Sequence, residues 1–165
     1  MSIRPHRTDR AAFENFLLAH HERQTGALEV RSRPFMLLLD PASTCQLQCP
    51  MCPTGLENAH KMPEGRKRYR QRTLLGRELF DAVLAELGGS LFFVHLYNWG
   101  EPLLNRDLNY FIHALAERGI ATDTNTNLSL QLTDEAIDAL VRSGIDRIEA
   151  SIDGFSQESY GRYRI

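Results

Sequence analysis

The chain has 165 residues, with 42% apolar and 24% charged side chains and a formal net charge of −2. That length and balance predict a globular unit and exclude disordered, collagen-like and coiled-coil classes. The near-neutral charge gives no global field for nucleic acid or anionic lipid, so neither is expected as a partner. No apolar run approaches the roughly 20 residues of a membrane span. The opening residues, Met1-Ser2-Ile3-Arg4-Pro5-His6-Arg7, place no apolar core after their charges. They do not resemble a secretory signal, and a cytoplasmic protein is expected.

In chain order, residues 11–22 predict an amphipathic helix with Phe13, Phe16, Leu17 and His20 on one face, capped by Thr8 or Asp9. Residues 34–40 carry the apolar run Phe-Met-Leu-Leu-Leu, which predicts a fully buried strand of a parallel sheet. A cysteine-rich loop follows. Residues 58–73 are polar, with Lys61, Arg66, Lys67, Arg68, Arg70 and Arg72. They predict a solvated loop, with a basic patch for an acidic substrate as the alternative. Residues 76–87 predict a helix stopped by Gly88-Gly89, 91–97 a strand, and 98–105 a loop. A helix over 106–118, a strand over 120–126, a helix opened by Thr133, a strand over 145–152 and a helix from Ser156 complete the order. Ala136 stands where a capping-box glutamate would be, so no box is expected at Thr133.

Strands alternating with helices predict a parallel sheet with right-handed crossovers. In such sheets, ligand groups gather at the carboxyl ends of the strands. The unusual polar clusters of this chain all fall there. They are the three cysteines, then Asn98-Trp99-Gly100-Glu101-Pro102, Thr124-Asn125-Thr126-Asn127 and Ser151-Ile152-Asp153-Gly154. Cys45, Cys49 and Cys52 are the only cysteines, spaced C-x3-C-x2-C. Three closely spaced thiols make a poor disulfide framework and point to metal or redox chemistry. Iron–sulfur clusters usually take four cysteines. Three would leave one iron open to another ligand. A zinc site of the three cysteines plus His60 is the competing reading. His95 and Tyr97 share one strand face and could point into the barrel and touch substrate, with a hydrogen-bonded core histidine as the other reading of His95.

The C-x3-C-x2-C loop after a first strand resembles the radical S-adenosylmethionine (radical SAM) superfamily. The order of the other loops suits the maturases and anaerobic sulfatase-maturating enzymes that carry SPASM or twitch extensions. The resemblance covers residues 34–165. It implies an α/β fold, a partial six-unit (β/α) TIM-like barrel that stops after the fourth strand, with residues 1–33 as a helical amino-terminal extension. It implies a 4Fe-4S cluster on Cys45, Cys49 and Cys52, with S-adenosyl-L-methionine on the fourth iron. It also implies reductive cleavage to a 5′-deoxyadenosyl radical that abstracts a substrate hydrogen. A one-electron donor such as flavodoxin or ferredoxin is the expected partner, and the substrate class suggested is a peptide or protein.

Residue by residue, Trp99-Gly100-Glu101-Pro102 resembles the family's Gly-Gly-Glu-Pro, departing at Trp99. The resemblance implies that Gly100, Glu101 and Pro102 meet the cofactor's amino group. Asn125 and Thr126, with Asn127 beside them, resemble a Thr-Asn-Gly segment near the cofactor. Ser151 and Asp153 resemble a Ser-x-Asp-Gly motif. Met51 stands where an aromatic residue commonly packs on the adenine. Arg164, or Arg162 one register away, matches an arginine that holds the cofactor's carboxylate. The length then predicts the amino-terminal portion of a longer enzyme. An inactive truncated fragment is the remaining alternative.

Overall fold

The computed structural model describes residues 9–60 and 71–165. Four strands, β1 (Met36–Leu38), β2 (Phe93–His95), β3 (Ala121–Thr126) and β4 (Arg147–Ala150), form one parallel sheet in the order β1-β2-β3-β4. The helices are α1 (Arg10–Thr25), α2 (Pro53–Asn58), α3 (Arg77–Leu87), α4 (Leu108–Glu117), α5 (Asp134–Arg142) and α6 (Gln157–Gly161). A 3-10 turn spans Pro102–Leu104. The sheet is open, and its strand order follows the chain, as successive βα units of a partial barrel require.

The core lies on one face of the sheet, against α3, α4 and α5. Val94 and Leu96 meet Phe80, Leu84, Leu108, Phe111, Ile112, Leu115 and Leu140 there, and Phe80 stacks on Phe111 at 4.5 Å between ring centroids. Register puts Leu37, Val94 and Thr122 in one row on this face. Thr122, Thr124 and Thr126 are buried on it, and each hydroxyl has a partner: Ile120 O, Leu96 O and Glu101 Oε1 respectively. Buried hydroxyls without partners would be costly.

The next row, on the opposite face, is Leu38, His95, Asp123 and Arg147. Asp123 is completely buried between two basic partners. His95 Nδ1 lies 2.7 Å from its Oδ1, and Arg147 pairs with its Oδ2. The Asp123 bond and charge raise the pKa of Arg147. His95 is thus hydrogen-bonded, as its core-histidine reading expects, but it stands on the face turned away from the helices. Its ring also lies against Phe93 and Tyr97.

Two sequence expectations need correction. The first strand is not fully buried: Met36 and Leu38 are half exposed, because they lie on the face that no helix covers, whereas Leu37 and Leu39 pack on the core. The buried face of α1 is also turned about one residue from the one expected. Ala12 and Glu22 are buried and Phe16 is half-buried, whereas Phe13 and Leu17 are half exposed and His20 is exposed. Phe16 decides this by stacking on Phe92 at 5.1 Å and meeting Phe35 edge-on at 5.2 Å. The cap of α1 is Asp9, whose side chain accepts from Ala11 N. Thr8 and the basic residues Lys61, Arg66, Lys67, Arg68 and Arg70 lie outside the described residues, whereas Arg72 bonds Asn58 Oδ1. No helix among the described residues is long and apolar enough to cross a membrane.

Candidate functional site

The cysteine loop leaves β1 and runs into α2, a helix absent from the sequence expectation. Cys52 is its N-cap and Pro53 its first residue. Proline suits that position because its fixed φ is helical and its missing N–H has no helical partner there. The signal was therefore present in the Cys52-Pro53 pair. At the other end of α2, Asn58 turns back and donates to Cys45 O at 2.7 Å and Leu47 O at 2.8 Å. One amide thus holds both arms of the loop. Gly55 lies so close under this loop that a Cβ there would overlap the Cys49 backbone.

The loop after β2 is tied to the same place. Glu101 N donates to Thr44 O at 2.8 Å, and a Cβ on Gly100 would overlap the carbonyl oxygen of Ala42. Only glycine lets these two loops touch. Glu101 is buried, and its carboxylate accepts from Thr126 Oγ1 at 2.7 Å, Asn127 N at 2.9 Å and Leu103 N at 3.2 Å. It therefore clamps the loop after β2 to the end of β3. Ser151 Oγ donates to Asn125 Oδ1 at 2.5 Å, joining the ends of β3 and β4.

These loops enclose a cavity of about 270 Å³. Cys45, Cys49, Cys52, Gly100, Glu101, Asn125, Ser151 and Arg164 all line it. Met51, Pro102, Thr126 and Asp153 do not. Met51 is largely exposed, Pro102 and Thr126 are buried behind the wall, and Asp153 acts indirectly by pairing with Arg164. Arg162 is exposed and pairs with Glu158 one helical turn back, so Arg164 is the arginine that reaches the cavity. Burial by itself lowers the pKa of Arg164, but its bond to Asp153 and its contact with Cys49 leave it raised. Tyr97, offered by the sequence as a substrate contact, and Asn127, in the segment that resembles Thr-Asn-Gly, line the cavity as well, whereas Trp99 and Tyr163 are lining residues that sequence reasoning missed. Trp99 stands in its motif only as the departure from glycine. Tyr163 lies in the terminal segment where only the arginines drew attention.

All three cysteines are free thiols. Burial, above all, pushes the Cys45 thiol pKa up. His60, the fourth ligand of the zinc reading, is exposed beyond the far end of α2 and does not line the cavity. Among the described residues, no three His, Cys, Asp or Glu side chains are drawn together as a single-ion site. Three thiols around a cavity of this size suit a larger, multi-atom group. A second, shallower hollow of about 440 Å³ adjoins through Asn127, lined by Leu128, Ile152, Phe155 and Tyr160 among others.

A family model described as the radical SAM superfamily matches residues 40–165. The chain belongs to the radical SAM superfamily. A PqqA peptide cyclase from Rhizobium meliloti (strain 1021) is 29% identical over 130 residues, covering 78% of this chain and 32% of that protein. The chain spans about a third of the length of the curated relatives it matches. Among solved structures, Streptococcus suis SuiB bound to S-adenosylmethionine aligns with a TM-score of 0.60 and 15% identity, covering 92% of this chain and 38% of that one. SuiB bound to its precursor peptide SuiA aligns equally well, with a TM-score of 0.60 and 15% identity over 92% of this chain and 39% of that one. BtrN in complex with AdoMet and 2-DOIA gives a TM-score of 0.53 at 17% identity, covering 77% of this chain and 54% of that one. These likenesses show that this radical SAM chain shares the fold of the part of those proteins that it covers.

Proposed function

We propose that residues 34–165 form the cofactor-binding part of a radical SAM enzyme, with residues 1–33 as an amino-terminal extension whose helix α1 packs on Phe35 and Phe92 through Phe16. Cys45, Cys49 and Cys52 hold a 4Fe-4S cluster, and S-adenosyl-L-methionine occupies the rest of the cavity. The observation that carries this reading is the convergence of three free thiols, the Gly100-Glu101 loop, Asn125, Ser151 and Arg164 on one cavity at the carboxyl ends of the strands. The cluster, when bound, supplies the electron that cleaves S-adenosylmethionine to a 5′-deoxyadenosyl radical, the species that abstracts hydrogen from substrate.

The chain's own residues bind and orient. Gly100 and Glu101 present backbone and carboxylate to the methionyl ammonium, and the three donors on Glu101 hold that carboxylate in place. Arg164 offers a guanidinium to the methionyl carboxylate while Asp153 fixes its plane. Asn125 and Ser151, bonded to each other, supply the neutral polar wall. Thr126 and Pro102 act behind it, as supports. Met51 lies outside the cavity wall, so an adenine contact there is not part of this reading.

A peptide or protein substrate is favoured by the relatives, one a peptide cyclase and another solved with a precursor peptide. A small one-electron donor protein of the flavodoxin or ferredoxin type would reduce the cluster. A cytoplasmic location goes with this reading, because a reducing compartment keeps the three thiols free to bind a cluster. The test is anaerobic reconstitution with iron and sulfide. About four irons per chain and 5′-deoxyadenosine on addition of dithionite and S-adenosylmethionine are expected. Cys45→Ala, Cys49→Ala and Cys52→Ala should each abolish both. Stoichiometric zinc with no iron would overturn the proposal, and so would cluster assembly without any 5′-deoxyadenosine.

A further inference from the structure

Two of the three cysteine sulfurs receive a hydrogen-bond donor. Asn127 Nδ2 lies 3.5 Å from Cys45 Sγ, and Arg164 Nη1 lies 3.8 Å from Cys49 Sγ. Neither arrangement is loose. The Asn127 carbonyl oxygen accepts from Gln46 Nε2 at 3.0 Å, Ser129 N at 2.9 Å and Ser129 Oγ at 2.7 Å. Three donors on that oxygen settle which way the amide points, and its NH2 is left facing the sulfur. Arg164 is held in the same sense. Its Nε is committed to Asp153, and its side chain is only 18% exposed. The sulfur it meets is buried: Cys49 is 3% exposed. Cys45 Sγ also faces an acceptor, Gln46 Oε1 at 3.6 Å, besides its Asn127 donor, whereas Cys52 Sγ faces only the carbonyl oxygen of Trp99, at 3.9 Å.

Resting on the cluster assignment above, we infer that Asn127 and Arg164 set the reduction potential of the cluster through the Cys45 and Cys49 sulfurs. Reduction adds one negative charge, part of which resides on the ligand sulfurs. A hydrogen-bond donor at such a sulfur stabilises the reduced form more than the oxidised form, and a fixed positive charge does so further. Little water competes around a buried sulfur, so the effect is weakly screened. Both residues therefore make the cluster easier to reduce. Arg164 thus has two duties at different atoms: one face of the guanidinium for the ligand in the cavity, and Nη1 for the sulfur.

The experiment is an EPR-monitored redox titration of the anaerobically reconstituted full chain without S-adenosylmethionine. Arg164→Gln and Asn127→Leu should each move the midpoint to more negative potential, and the double variant should move it further. Arg162→Gln removes a cation two residues away in the chain that faces solvent and pairs with Glu158, and should leave the midpoint at the wild-type value. Full iron content with an unchanged midpoint in both Arg164→Gln and Asn127→Leu would overturn the inference and leave the cluster assignment standing. An equal shift in Arg162→Gln would also overturn it, because net charge alone would then be the cause. If Arg164→Gln assembles no cluster, pulsed EPR of reduced wild-type protein carrying isotopically labelled arginine decides. A weak coupling to the labelled nitrogen supports the inference, and its absence refutes it. Failure of the wild-type chain to assemble any cluster would remove the underlying assignment and this inference together.

Discussion

Glu22 and Glu101 are both buried carboxylates, and both serve as clamps. Glu101 gathers its three donors from two loops and so holds the cavity wall together. Glu22 does the same for the segment that follows α1, accepting from Arg31 N at 2.8 Å, Ser32 N at 3.2 Å and Ser32 Oγ at 2.6 Å. The Ser32 hydroxyl, then the Arg31 amide, hold the carboxyl of Glu22 below its usual value of 4.5. A depressed folded pKa stabilises the fold fully above the unfolded value, and that contribution is lost as pH falls through the folded one. Glu22→Gln should therefore be less stable than wild type at neutral pH, with the difference narrowing below about pH 4. Urea midpoints of the two proteins across that range measure it. A difference that stays constant into acid would mean that the charge on Glu22 contributes nothing.

Elements place these residues through their register. One row of the sheet turns Leu37, Val94 and Thr122 to the helices, and the next turns Leu38, His95, Asp123 and Arg147 the other way. The strand ends, and hence the cavity, stay in position because α3 and α4 press on the first face. Phe111 sits at the centre of that contact, fully buried and stacked on Phe80. Phe111→Ala leaves a hole that rigid neighbours fill only in part, and should cost about 3–5 kcal/mol. A loss below about 1 kcal/mol in denaturant titration would mean that the helices re-close over the site. The short α2 matters differently. It buries Thr54 and Gly55 under the cysteine loop, and it carries Cys52 at one end and the Asn58 clamp at the other.

At the scale of the molecule, the sheet ends at β4, where all four residues are exposed. Ile137 and Val141, one turn apart on α5, are exposed as well, and Ile152 and Phe155 continue the apolar surface past the strand. An edge strand beside exposed apolar side chains promotes pairing between chains. The 165-residue chain should therefore self-associate, and Ile137→Glu with Val141→Glu should shift it towards monomer in sedimentation velocity. A wild-type chain that stays monomeric at the highest soluble concentration would refute this. The curated relatives are about three times as long as the matched span, so their chains hold further segments that this comparison does not reach.

The sequence by itself determined the order of the strands and of every helix but the short α2, because a period of two or 3.6 and the Gly stops are local signals. It also determined the thiols and the loop positions at the carboxyl ends of strands, because cysteine spacing and strand order are linear properties of the chain. The tertiary structure decided the remainder. It turned α1 onto Ala12 and Phe16, since Phe35 and Phe92 are distant in sequence. It separated Arg164 from Arg162, because the chain leaves α6 at Arg162 and only Arg164, beyond the helix end, turns into the cavity. It placed Met51 and Asp153 outside the cavity wall and brought Tyr97, Asn127 and Tyr163 into it. It also gave Asn127 and Arg164 their sulfur partners, across 82 and 115 residues respectively. A local pattern reports which face a side chain prefers, and only packing between distant segments determines what that face meets.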